Sequence, residues 1–265
     1  MTSDAKRPFA GQVALVTGGG KGIGRAIALE LAGRGAQVLV TGRDERALGE
    51  AVGEIAFGGG QGRHLAGDVR DPAHARASVA RAIDMWGRLD VVVANAGVTA
   101  SAAMGEAGGA DRARAVFETN LEGAYYVFDA AIAVMRGPGR LIAISSVLGK
   151  FGVAGSAAYC ASKAGLHGLV RAVAAEVGSR GITCNAVAPG WVDTEMARGR
   201  LAAIAEQTRS TYEAVRAEAM ADTPIGRFVE PEEVARVVAF LCGAGAGAIT
   251  GQALSVCGGT TLFAG

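Results

Sequence analysis

Apolar residues come in short unbroken runs, and stretches with helical spacing lie between them. Val13–Thr17 is a strand-like run. From Gly22 to Gly33, Ile23, Ile27, Ala28 and Leu31 share one helical face. Val38–Thr41 is strand-like again, and Arg43 to Ile55 reads as a helix with a charged face. His64–Ala66 gives a weak strand signal ahead of a helix from Pro72 to Trp86, with proline at its start. Leu89–Ala94 is an apolar strand, Asp111 to Met135 one long helical pattern, and Leu141–Ile144 a strand. A helix from Ser156 to Val177, a strand Ile182–Ala188, a helix from Pro231 to Leu241 and a strand Ala253–Val256 complete the alternation.

Strands apolar on both faces, alternating with helices, predict a parallel sheet covered on both sides. The predicted fold class is α/β: a single doubly wound, Rossmann-type domain over residues 1–265 with a seven-stranded parallel sheet. The rhythm breaks over residues 191–230, where no strand is expected and two short helical stretches are. Ligands in such folds bind beyond the carboxyl ends of the strands, so 191–230 is expected to form a helical substrate lid.

Composition narrows the function classes. The 265 residues are 50% hydrophobic and 19% charged, which excludes disorder. A formal net charge of +1 argues against a nucleic-acid partner. Four cysteines (160, 184, 242, 257) form no CxxC pair, and three histidines (64, 74, 167) form no ligand cluster. No metal is expected; the cysteines read as small buried hydrophobes in a reducing, cytoplasmic setting. The segment MTSDAKRPFAGQ lacks the apolar core of a signal peptide. Residues 237–265 carry no charge but are cut by six glycines, so a buried helix and a buried strand are expected there, not a membrane span.

Two constellations carry chemistry. Val13–Thr17 runs into Gly18-Gly19-Gly20-Lys21-Gly22-Ile23-Gly24 and then a helix. With 41 glycines the spacing alone decides little, but its place at the first strand–helix junction is where a dinucleotide pyrophosphate belongs. The second strand ends Val40-Thr41-Gly42-Arg43, without the acid that recognises a ribose 2′-hydroxyl. Lys21 and Arg43 could instead meet a 2′-phosphate, which favours NADP(H) over NAD(H). Asp44, beside Arg43, could cap the following helix.

Tyr159 and Lys163 are four apart on a predicted helix and share a face. A cation there would lower the phenol pKa and make Tyr159 a usable acid/base. Ser145-Ser146 ends the fifth strand, where a hydroxyl could polarise a substrate carbonyl. No His or Asp is placed for a nucleophilic triad, and no Gly-x-Ser-x-Gly elbow surrounds the serines, so a hydrolase is rejected.

Together these motifs resemble the short-chain dehydrogenase/reductase family, from Val13 to Gly259. Thr17-Gly18-Gly19-Gly20-Lys21-Gly22-Ile23-Gly24 is similar to its TGxxxGIG, Asp68-Val69 to its adenine-contacting pair, and Asn95-Ala96-Gly97 to its NAG. Asn120 sits in the helix-asparagine match, Ser146 stands thirteen before Tyr159, and Tyr159–Lys163 is the YxxxK pair. Pro189-Gly190-Trp191-Val192-Asp193-Thr194 is similar to PGxxxT, whose backbone and Thr hold the nicotinamide amide. Ala94 departs from the second Asn that many members carry before NAG.

The resemblance implies catalytic roles. Tyr159 would exchange the proton and Lys163 would lower its pKa and bind the nicotinamide ribose. Ser146 would orient the carbonyl, and Asn120 would hold a helix kink and a relay water. Within the family the C-terminal pattern (Pro224–Phe228, Pro231–Val234 and Gly251–Gly259) is similar to β-ketoacyl and aromatic-polyketide ketoreductases. That implies an NADPH-dependent ketone reduction in a homotetramer. Trp191, Met196, Tyr212 and Met220 are candidates for the pocket lining. Arg136 and Arg180 could meet the phosphate of a carrier-protein-bound or CoA-bound substrate. The alternatives are an NAD(P)+-dependent dehydrogenase of a secondary alcohol, sugar or hydroxyacyl-CoA, using the same residues, and a non-catalytic dinucleotide-binding scaffold.

Overall fold

Val13 and Leu15 pack to one side of their strand, and Ala14 and Val16 to the other. This two-sided burial recurs along the chain and sets the architecture. The computed structural model describes residues 7–100 and 103–262; residues 1–6 of the N-terminal segment and the far C-terminus lie outside the described residues. Seven strands are β1 (Val13–Thr17), β2 (Gln37–Gly42), β3 (Gln61–Ala66), β4 (Val91–Ala94), β5 (Gly139–Ile144), β6 (Ile182–Pro189) and β7 (Ala253–Val256). They form one sheet in the order β3-β2-β1-β4-β5-β6-β7, and every pair is parallel. The order in which strands are added reverses between β1 and β4, the switch point at which doubly wound folds bind ligands.

One face is covered by α1 (Gly22–Gly33), α2 (Glu45–Phe57) and α9 (Pro231–Cys242). The other carries α3 (Pro72–Trp86), α5 (Gly123–Val134) and α6 (Ala157–Val177). Local signals set the ends. Asp71 accepts from Ala73 N–H at 2.8 Å ahead of Pro72, and Gly87 closes α3 at φ +75°. Glu230 and Glu233 form a capping box at α9, and the paired Arg227 guanidinium holds the Glu233 carboxyl down at about 2.

Three expectations need correction. The pattern from Asp111 to Met135 is not one helix: α4 (Gly109–Phe117) meets a π-helical turn at Glu118–Glu122 before α5. The Asn120 side chain bonds across to Val98 and Ser162 there, and the widened turn accommodates it. The expected buried strand at 253–256 is half exposed, because β7 is the sheet's outer edge and pairs only with β6. Cys184, Cys242 and Cys257 are buried as expected, but Cys160 is half exposed on α6.

Residues 191–230 contain α7 (Glu195–Thr208) and α8 (Tyr212–Ala221), with one parallel bridge between Val192 and Val229. Among the described residues no helix is long and apolar enough to cross a membrane.

Asn185, fully buried in β6, donates to Ile249 O at 2.7 Å and accepts from Gln252 N–H at 3.1 Å. It therefore ties the chain before β7 to the sheet. Asn185→Ala strands both backbone groups and is expected to cost about 3 kcal/mol in urea denaturation. A cost below about 1 kcal/mol contradicts this role.

Candidate active site

The glycine turn between β1 and α1 packs too closely for a side chain at Gly18, Gly19 or Gly24. Gly18 and Gly22 have φ of +65° and +51°. A Cβ on Gly24 would lie 2.2 Å from Gly18 O and 2.3 Å from Asn95 Nδ2. The turn is held from β4: Thr17 Oγ1 accepts from the N–H groups of Asn95 and Ala96, at 3.0 and 3.1 Å. Asn95 Nδ2 donates back to Thr17 O at 2.9 Å. No side chain caps α1 at Lys21, so its first-turn N–H groups and positive dipole end face outward at this turn. A cradle that a Cβ would fill, at an uncapped helix N-terminus, fits a dinucleotide pyrophosphate.

The remaining expected cofactor residues surround this turn. Val69 is buried against Gly123 at the start of α5. Asp68 is held by Arg70, which donates from Nε at 3.0 Å and Nη2 at 2.6 Å, and that pairing keeps its carboxyl below the usual range. A Cβ on Gly97 would meet Asn120 Oδ1 at 3.3 Å and Lys163 Nζ at 3.4 Å. Pro189 ends β6, and Gly190 N–H donates to Val256 O at 3.0 Å. Val192 is buried, and Thr194 caps α7 through Ala197 N–H. Thr194 Cγ2 lies 3.3 Å from where a Gly22 Cβ would be, so this loop closes over the glycine turn. Ile23 is half-buried against the core on the α1 side.

Arg43 is exposed, and its charge acts on Asp68. Lys21, the other expected phosphate ligand, is engaged by Asp44 at 2.9 Å. Asp44 also caps α2, as its position beside Arg43 allowed.

The acid/base set gathers at the ends of β4 and β5. Ser146 is buried, and its Oγ accepts from Leu148 N–H at 3.1 Å. Tyr159 is half-buried, and the Ser146 hydroxyl acts on its phenol. Lys163 Nζ sits 5.7 Å from the Tyr159 ring centre and donates to Ile144 O at 2.8 Å. Burial draws the Lys163 ammonium down to about 8. Burial also pushes the Tyr159 phenol up, against the opposing pull of Ser146. The expected lowering of the Tyr159 pKa by Lys163 is therefore not seen in the protein alone: the amine lies over the ring face, and desolvation of the phenol dominates.

His167 and Ser162 join this set, and no motif pointed to either. Ser145 Oγ donates to Lys163 O at 2.9 Å and is 2.9 Å from His167 Nε2. Because the hydroxyl proton goes to the carbonyl, the buried His167 donates through Nε2–H. This chain locks the end of β5 to α6, and so fixes Ser146 relative to Tyr159. Ser162 accepts from Asn120 Nδ2 at 3.1 Å and donates to Tyr159 O at 2.8 Å. His167 and Ser162 both fall within the helix expected from Ser156 to Val177, and their spacing does not set them apart.

A family model described as enoyl-(acyl carrier protein) reductase matches residues 18–261. The chain belongs to the short-chain dehydrogenase/reductase family. Among its relatives, the 3-oxoacyl-acyl-carrier-protein reductase FabG of Escherichia coli strain K12 is 38% identical over 253 residues, covering 95% of this chain and 98% of its own. A solved structure of an actinorhodin polyketide ketoreductase variant with NADPH superposes with a TM-score of 0.89 at 38% identity, covering 98% of this chain and 99% of that one. Levodione reductase superposes at 0.91 with 29% identity, covering 96% and 99%. The chain is thus an oxidoreductase of the short-chain type.

The expected pocket-lining residues divide. Trp191 stacks on Phe228 with ring centres 6.1 Å apart, and Tyr212 and Met220 pack in the same small cluster. These three serve the packing of 191–230 itself, while Met196 is exposed. Arg136 and Arg180 line one hollow of about 620 Å³ by the starts of β5 and β6, at the opposite end of the sheet from Ser146. Arg180 donates to the carbonyls of Ile132 and Met135 and so closes the end of α5.

Gly24→Ala places a methyl inside the contact with Gly18 O. It is expected to weaken dinucleotide binding at least about tenfold in a fluorescence titration, with a lowered melting temperature. Unchanged affinity contradicts the close backbone approach.

Proposed function

We propose that this short-chain reductase uses NADPH to reduce a ketone, of the β-ketoacyl or polyketide-like class, to a secondary alcohol, with Tyr159 as the acid. The observation that carries the reading is the joined set of Ser146, Tyr159, Lys163 and Asn120 next to the glycine turn. The names of the relatives support the class of reaction and the cofactor.

When bound, the cofactor would supply a hydride from its nicotinamide. The turn Gly18–Gly24 would hold its pyrophosphate on backbone N–H groups. Lys21 and Arg43 would meet the 2′-phosphate, and Asp68, Val69 and Asn95–Gly97 would flank the adenosine half. Pro189, Gly190, Val192 and Thr194 would hold the carboxamide end.

Ser146 Oγ and the Tyr159 hydroxyl would point at one substrate carbonyl oxygen. Tyr159 would give its proton to that oxygen as negative charge develops there. A phenol kept protonated by burial suits this direction. Lys163, charged below about 8, would stabilise the phenolate left behind and hold the ribose. Asn120, fixed by Val98 and Ser162, would keep the site's inner wall in place.

The finer partner readings belong to the same proposal. The half-exposed β7 and the exposed Phe240 on α9 suit burial in a homotetramer. Residues 191–230, packed by their own cluster, would act as a lid over the substrate. Arg136 and Arg180 would not meet the phosphate of a carrier-bound substrate, because they lie at the opposite end of the sheet from Ser146 and Arg180 is engaged by the Ile132 and Met135 carbonyls.

Tyr159→Phe is expected to lower kcat for ketone reduction by about a thousandfold or more while NADPH affinity stays within about twofold. Undiminished turnover overturns the assignment. The wild-type kcat/KM for NADPH is expected to fall as pH rises through about 8, because Lys163 loses its charge there while the phenol stays protonated. A profile flat across that pH contradicts the role of Lys163.

A further inference from the structure

Three cations stand near the end of β2, and they are held differently. Lys21 Nζ lies 2.9 Å from Asp44 Oδ2, and both side chains are more than half exposed. The other oxygen of the same carboxylate accepts from Ala47 N–H at 3.1 Å and caps α2. Arg46 is paired in turn with Glu50, Nε to Oε1 2.9 Å. Lys21, Asp44, Arg46, Ala47 and Glu50 line one hollow of about 230 Å³. Its wall therefore carries two cations, each already facing a carboxylate. Glu195 on α7 adds a further negative charge to the field at Lys21. Arg43, one residue before Asp44, has no carboxylate at hydrogen-bonding distance among the described residues.

Resting on the NADP(H) reading above, we infer that Asp44 is a specificity-determining residue: a fixed counterion that competes with the 2′-phosphate for Lys21. A phosphate monoester carries close to two negative charges near neutral pH. It must take Lys21 from a carboxylate that the helix cap holds in place. Asp44 cannot retreat without uncapping α2, so its charge stays beside the incoming phosphate. At an exposed site that repulsion is worth a factor of about five in affinity. The 2′-hydroxyl of NADH carries no charge and meets no such penalty. Asp44 thus narrows the preference for NADPH that Lys21 and Arg43 create.

Asp44→Asn tests this, because Asn caps a helix as well as Asp and lacks the charge. Asp44→Ser, which also caps, guards against an effect peculiar to the amide. Each protein is titrated with NADPH and with NADH in one low-salt buffer, read by fluorescence. Both variants are expected to bind NADPH about fivefold tighter and NADH within about twofold of wild type, and the gain shrinks in high salt. Equal changes for both cofactors, or weaker NADPH binding, overturn the inference; the latter would make Asp44 a positioner of Lys21. Wild-type protein that does not bind NADPH at all overturns the functional reading together with this one. NADPH binding whose preference does not widen overturns the role of Asp44 alone.

Discussion

The parallel register of β1, β4, β5 and β6 is the constraint on which the site depends. Leu15 pairs with Val92, Val93 with Ile142, and Ile144 with Val187, so the carboxyl ends of these strands finish together along one edge. There the backbone leaves the ladder, and its polar groups become available. The glycine turn, Asn95–Gly97, Ser145-Ser146 and Pro189-Gly190 all leave the sheet at this edge. Chemistry gathers there because a parallel sheet sends every strand out of its core on the same side.

A shared edge brings the segments near one another; side-chain bonds between them set the distances. Thr17 and Asn95 clamp the turn to the end of β4. Asn120 uses the wide π-helical turn to reach Val98 and Ser162. Ser145, aligned by His167, ties the end of β5 to α6. Each bond is buried or half-buried, where an unmet partner is costly, so each resists drift. The same desolvation keeps the Tyr159 phenol protonated and brings the Lys163 ammonium near its titration point. Burial that positions these groups therefore also sets their acidity.

Much of this was legible in the sequence, for identifiable reasons. The strand–helix alternation was readable because parallel strands are apolar on both faces. The acid/base set was readable because a helix places Tyr159 and Lys163 on one face and Ser146 falls at a strand end. The π-helical turn was not, since Glu118–Glu122 sits inside an unbroken helical pattern and only the Asn120 bonds to the distant Val98 and Ser162 accompany the widening. The exposure of β7 depends on which strand lies at the edge, and composition does not carry that. The Lys21–Asp44 pair joins two turns that meet only after β1 and β2 align. His167 looked like any helix-interior histidine until β5 brought Ser145 against it.

The most direct test of the account is a single-turnover reaction with NADPH deuterated at the transferred position and a β-ketoacyl thioester. The account predicts NADPH oxidation with a primary isotope effect and an alcohol carrying the deuterium at the former carbonyl carbon. NADPH that binds but stays reduced in the presence of such ketones, while NAD(P)+ oxidises a secondary alcohol, would contradict it.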